Sequence, residues 1–353
     1  MKNMGIAGPL GRMILAALTA ACVLPAAWGD GCTTQSQMTP AQRDAYSQVA
    51  RMLVSDVQNG DMQALRQDTL PAVASDFSGI ANSASALKPL IQQAGLTVDA
   101  LFGFEAGQPA AGAPGSQFFC SPPNSTMTIV LNFSTLPPGK YVLAIVHATG
   151  VPKPQQISLI LAQDTDTKWK MAGIFSKPMM LAGQNGVWYW SRAREFAQRK
   201  QEWPAYFYYQ IASFLVEPDD FVTSPNVDKL RREAGEIHPG TLPGDQPITV
   251  YANGMPFQVT HVDTSAELGP LDFVVHYNPS PQQAAQLGNP VQARQQVLAL
   301  MSGILAAHPG MRDAFHGLWV YADQGNATAF ALELPMSQIP GGGGPVSSTS
   351  SGQ

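Results

Sequence analysis

Across residues 39–95 apolar side chains recur every three or four positions, and from residue 96 to about 177 they alternate or run together in short blocks. The first spacing belongs to helices buried on one side, the second to strands. Thr39, Pro40 and Gln42 form a capping box with proline at the first helical position, and Tyr46, Val49, Leu53 and Val57 share one stripe before Asn59-Gly60 ends the helix. Shorter helices are predicted over residues 62–70 and 86–94, the latter closed by Gly95. Strands are predicted in "LTVDALFGFE", "TMTIVLNFS", "KYVLAIVHA", "QISLILAQ" and "KWKMAGIFSK", with turns at Pro137-Pro138-Gly139 and Asp164-Thr165-Asp166. The Ala/Gly/Pro stretch at 106–117 is predicted as a mobile loop. Helices followed by antiparallel strands make an α+β unit over 39–180, with the helices on one face of a bent sheet.

Residues 186–215 hold ten aromatic side chains in thirty positions, in a chain that is 8% aromatic. Two helices fit, parted near Trp203-Pro204, because proline starts a helix well but breaks a continuous one. A hairpin of this kind cannot cover its own apolar face and must dock on a neighbour, expected here to be the preceding α+β domain. Most of the rings are therefore expected in a core, with Trp188, Tyr189 and Trp190, nearest the end of the sheet, as the places for an exposed binding patch. The hairpin and its extension occupy 186–235, a Pro/Gly-rich linker 236–246, and a second α+β domain 247–336. In that last unit "ITVYA", an Asn253-Gly254 turn and "FQVTHVDTS" form a hairpin, "LDFVVHYNP" continues the sheet, and a helix with Val297, Met301, Ile304 and Leu305 on its buried stripe follows. The Gly/Ser-rich tail, 337–353, is expected to be disordered.

Lys2 and Arg12 ahead of "MILAALTAACVLPAAWG" have the charge, apolar length and small-residue finish of a secretory leader, residues 1–29, cleaved before Asp30. Cys22 as a lipidated first residue is the competing reading, against which stands the apolar "VLPAAW" that follows it. The apolar run is too short to span a membrane, and no later segment of the mature chain does so. An exported chain, periplasmic or extracellular, keeps two cysteines, Cys32 and Cys120, after residues 30–38 begin the mature protein. An even number of thiols in an oxidising compartment points to one disulfide; two buried free thiols are the alternative. Without the leader the chain carries 18 Lys and Arg against 25 Asp and Glu. With no basic cluster, nucleic acid and anionic membranes are poor partners.

The order of an N-terminal helical group, a long bent sheet and a closing "KWKMAGIF" strand resembles the cone-shaped nuclear transport factor two-like fold, over about residues 39–180. Ala193, Ala205 and Ala212, with Tyr189, Phe196 and Tyr209 among them, fall at spacings similar to one tetratricopeptide-like hairpin. The whole chain is similar to a family of exported, uncharacterised bacterial proteins through "LPPGKYVLAIVHATGVPKPQQISLILAQ", "SKPM", "WYWSRAREFAQ" and "LWVYADQGNATAFALELPM". The cone resemblance implies a cavity, and enzymes of that class place carboxylates, histidine or tyrosine in it. The strands between residues 126 and 162 contain no Asp or Glu, so a carboxylate would have to come from Asp99, Glu105 or the helices. His147 is the best titratable candidate, with Asn132, Tyr141 and Trp169 as further cavity residues and Trp188 and Trp190 for the hairpin surface.

No nucleophile elbow, phosphate loop, zinc-protease motif, paired-cysteine motif or dinucleotide fingerprint is present, and no cofactor is expected. His261 and His276 on neighbouring strands could share a metal if they face one side, with His308, His316 and Asp323 nearby in sequence, but polar residues of a solvated face are the preferred reading. The expectation is a module that binds a small molecule or an envelope protein, with a small-molecule isomerase, dehydratase or hydrolase as the alternative.

Overall fold

The computed structural model describes residues 30–108, 115–165, 167–341 and 348–349. The predicted leader, with Cys22, and most of the predicted tail lie outside the described residues. The chain begins with β1 (Asp30–Thr34) and four helices, α1 (Pro40–Asn59), α2 (Met62–Gln67), α3 (Pro71–Ala74) and α4 (Ser78–Ile91). The capping box forms as expected, with Thr39 Oγ1 accepting from the Gln42 N–H, and Gly60 in the left-handed region ends α1. Helix α4 starts at Ser78, well before the predicted residue 86. Gly79, Asn82, Ser83 and Ser85 are weak helix formers, and the helix is held instead by its buried face of Ile80, Ala84, Leu87 and Ile91.

Strands β2 (Gly95–Ala106), β3 (Ser116–Cys120), β4 (Ile129–Phe133), β5 (Gly139–Thr149), β6 (Gln155–Gln163) and β7 (Trp169–Pro178) follow, then the small ribbon β8 (Met180–Leu181) and β9 (Gln184–Asn185). Helices α5 (Gly186–Gln198) and α6 (Glu202–Val216), strand β10 (Val222–Thr223) and α7 (Pro225–Gly235) come next. The first sheet runs β10-β4-β3-β1-β2-β5-β6-β7, and the β1–β3 pair is parallel. The sequence pattern predicts neither β1 nor β3: they occupy the polar stretch after the predicted leader and the end of the predicted loop, and pairing across the sheet makes them strands.

Helices α1 and α4 cover one face of this sheet, where Leu53, Val57, Leu87 and Ile91 meet Val142, Ala144, Val146 and Leu159. The sheet then curls, so that β1, β3, β4 and β10 turn over the other face and gather Phe104, Phe118, Phe133, Tyr141, Leu143 and Ile160. Strand β5 is therefore buried on both sides along most of its length. Cys32 and Cys120 form a disulfide that joins β1 to β3 across 88 residues of sequence. The fold is α+β, a curled half-barrel sheet with helices.

The second sheet contains β11 (Ile248–Ala252), β12 (Met255–Ser265), β13 (Asp272–Asn278), β14 (Gly317–Gln324) and β15 (Ala327–Pro335), in the order β15-β14-β13-β12-β11, with Ser348–Thr349 paired on β11. Helices α8 (Pro281–Leu287), α9 (Pro290–Ala307) and α10 (Met311–Ala314) form the crossover that makes β13 and β14 parallel. The rings of α5 and α6 pack into this unit and share its core, with Trp203, Phe207 and Tyr208 lying against Phe273 and Phe315. The expected docking of the hairpin on the first domain is thus corrected: its apolar face demanded a partner, and the inner face of the second sheet supplies it.

The polar tips of these rings are satisfied. Tyr189 Oη donates to the Leu181 carbonyl, Tyr208 Oη to that of Ala314, Trp203 Nε1 to Thr241 and Trp190 Nε1 to Glu233. The start of the predicted disordered tail is also ordered, since Ile339 is buried and Arg312 donates to the Ile339 and Pro340 carbonyls. Among the described residues no helix is long and apolar enough to cross a membrane.

Candidate functional site

Between α6 and α7, residues 217–224 leave the hairpin and cross back onto the first sheet. Val222 pairs with Leu131 and Thr223 with Val130, which is how β10 joins that sheet. The Phe221 ring stacks on Phe133 at 5.0 Å and meets Phe175 edge-on at 5.3 Å. This connector roofs the face of the sheet that the curl encloses, and beneath it lies a cleft of about 290 Å3. Its floor is Phe102, Leu143, Ile145 and Ile129, its roof Val216, Pro218 and Val222, and its rim Asp99, Gln156 and Asn226. Apolar floor residues fall here because alternate positions of β2 and β5 point to this face while their neighbours point to the helices.

Asp219 sits in the same connector and is 4% exposed, whereas Asp220 beside it is fully exposed, 3.8 Å from the Lys177 ammonium. Burial pushes the Asp219 carboxyl up to about 6; a hydrogen bond with Ser158 and the Lys177 ammonium act in the opposite direction, and the Asp220 charge adds to the rise. Its Oδ2 is buried with no hydrogen-bond partner. Asp219 lines a second groove, about 440 Å3, that runs along the edge strand β7 past Phe175, Lys177 and Phe221 and faces Ser83 and Ala86 of α4. The connector thus separates two depressions, with a buried carboxylate under it. Asp219 lies off the strands and helices of the first domain, and nothing in "VEPDDFVTS" marks one aspartate of the pair for burial.

The residues singled out from sequence do not form one constellation. His147 follows Leu143 and Ile145 along the enclosed face of β5, but stands past the end of the cleft, with its Nδ1 3.8 Å from Asp99 Oδ1 and the Asp99 side chain 57% exposed. Tyr141 and Trp169 line a different depression, about 260 Å3, with Tyr46, Glu105 and Lys140. The Tyr141 hydroxyl donates to the Pro137 carbonyl, and Trp169 packs edge-on against Tyr46. Asn132 points away from the core that holds its neighbours Leu131 and Phe133, and accepts from Gln117 across the strands. Trp188 is partly exposed at the start of α5, against Tyr189 and Tyr208. Trp190 is held by Glu233, which also takes two hydrogen bonds from Arg194, whose guanidinium lies over the Trp190 ring. Glu233 consequently sits below its ordinary range: burial alone would raise it, and the Arg194 and Trp190 donors outweigh that.

Compared with protein-family models, curated proteins and solved structures, the chain matches none.

Proposed function

We propose that the chain is a binding module for a small, mainly apolar molecule, held in the cleft between the enclosed face of the first sheet and the connector. The observation that carries this reading is the composition of the cleft: an aliphatic and aromatic floor with a few polar groups, Asp99, Gln156, Thr223, Ser224 and Asn226, among its lining. Such a site binds by removing apolar surface from water and orients its ligand through the rim. At about 290 Å3 it stands at the small end of ligand pockets, which run roughly 300–1,000 Å3. The cone resemblance, with its cavity, and the leader, with its exported compartment, agree with this reading.

The arrangement of His147 and Asp99 favours binding over catalysis. A general base needs hydrogen-bond reach and a dry site, and this pair is 3.8 Å apart at a wet rim. One observation favours an enzyme instead, namely the buried Asp219 carboxyl poised near neutral pH. Its unpartnered oxygen is buried, however, although Asp219 itself lines the groove along β7, so the atom offers a substrate no exposed surface.

Ligand-observed NMR with a set of apolar fragments tests the proposal on the wild type and on Asn226→Trp, a change at the exposed mouth that leaves the floor intact. Saturation transfer to fragments in the wild type, lost in Asn226→Trp while the melting temperature holds, is the expected result. Equal transfer in both proteins, or none in the wild type, overturns it.

A further inference from the structure

The outer face of the second sheet carries a histidine pair that the core does not require. Phe257 and Val259 of β12 point inward, and strict alternation would send His261 after them. A bulge at Thr260 shifts the register between Val259 and His261, and the extra residue turns His261 to the outer face. There it lies directly opposite His276 of β13, whose neighbours Val275 and Tyr277 face the core. The two imidazoles are 5.9 Å apart, centre to centre, with 53° between their planes.

The His276 ring is fixed from its other side. It stacks on Tyr321 at 4.7 Å, and its Nδ1 is 2.7 Å from Asp323 Oδ2. Asp323 is held in turn by the Thr328 hydroxyl, which donates to its Oδ1 at 2.8 Å. A carboxylate only accepts, so Nδ1 carries a proton, and Nε2 is the ring nitrogen available to a metal. Asp323 belongs to β14, on one side of β13, and His261 to β12, on the other. Nε2 is the ring nitrogen that Asp323 leaves free, and on the side of β13 away from Tyr321 stands His261, an exposed residue with no side-chain hydrogen-bond partner among those described.

We infer that His261 and His276 form a binding site for a divalent transition-metal ion of the imidazole-preferring kind, with Asp323 as the positioning residue behind His276. Two imidazoles on one ion at about 2.0–2.1 Å from each nitrogen have ring centres roughly 5 Å apart, so the two rings, now 5.9 Å apart, would close by about 1 Å on binding. Carboxylate behind imidazole behind metal is the arrangement that fixes the tautomer and raises ligand basicity. No group of three or more metal-type side chains exists among the described residues, so the ion keeps its remaining positions for water or an outside ligand. His308 and His316 take no part: His308 is half-buried and stacked on Trp203, and His316 lies beside Asp272.

Isothermal titration with Zn2+, and electron paramagnetic resonance with Cu2+, on the wild type, His261→Gln, His276→Gln and Asp323→Asn test this. The wild type should bind one equivalent of Zn2+, and its Cu2+ spectrum should show coupling to two nitrogens. Either His→Gln change should abolish the one-equivalent isotherm, and Asp323→Asn should weaken it by about 10–100-fold. Thermal melting of each metal-free variant separates loss of the site from loss of the fold. A wild type that binds no Zn2+, or folded His→Gln variants that bind as the wild type does, overturns the inference. So does an Asp323→Asn isotherm that coincides with the wild type, because the positioning role would then be absent.

Discussion

Replacing Asp219 by asparagine keeps the shape of the side chain and removes a charge that the fold holds out of water. The carboxyl is 4% exposed and burial lifts it from 3.8 to about 6, a rise that outweighs the Ser158 hydrogen bond and the Lys177 ammonium. Because its neutral form is the one the fold favours, its contribution is fully present below about pH 4 and is lost as the pH rises through 6. At roughly 1.4 kcal/mol per pKa unit the ionised group destabilises the fold by about 3 kcal/mol at neutral pH. The asparagine amide would replace an oxygen that has no partner, which takes back about 1 kcal/mol. Asp219→Asn should therefore stabilise the protein by about 2 kcal/mol at pH 7.5 and destabilise it by about 0.5 kcal/mol at pH 4. Urea denaturation followed by tryptophan fluorescence, repeated every half unit from pH 4 to 8, measures this. A difference that does not change with pH, or a variant less stable than the wild type at pH 7.5, would refute the reasoning.

Burial against Trp203 pushes His308 down to about 4, so its contribution has the opposite sign: the unfolded chain takes up the proton first, and about 3 kcal/mol is lost as the pH falls from 6.5 to 4. His308→Leu should remove most of that acid limb in the same titration. Replacing Cys32 and Cys120 by serine frees a loop closed across 88 residues and should lower stability by up to about 4–5 kcal/mol, read as a drop in melting temperature. In Gly303→Ala the added Cβ would stand 2.7 Å from the Ala252 side chain, so α9 must move off β11; a loss of about 1–3 kcal/mol in the same melts is expected.

What the chain's local patterns could announce, they did. The Thr39 capping box, the apolar run of β5 and the buried stripe of α9 each follow from signals within a few residues, and each forms. The failures share one cause, which is that the deciding partner lies far along the chain. Helix α4 has a weak propensity rescued by tertiary burial, and β3 looked like the end of a Gly/Pro loop until β1 and β4 paired with it. The ring-rich hairpin declared that it needed a partner without saying which sheet. Asp219 and Asp220 are adjacent and chemically identical, yet the path of the connector buries one and leaves the other in water. His261 was legible as a strand residue, but its face depended on a single extra residue in the ladder.

The central claim is that the enclosed face of the first sheet, under the connector, holds a small molecule. Native mass spectrometry of the intact protein purified from its own cells, beside the Asn226→Trp variant prepared identically, addresses it most directly. A bound mass of a few hundred daltons or less on the wild type, missing from the variant, is the predicted spectrum. Bare protein in both samples, or an adduct that survives the blocked mouth, would contradict it.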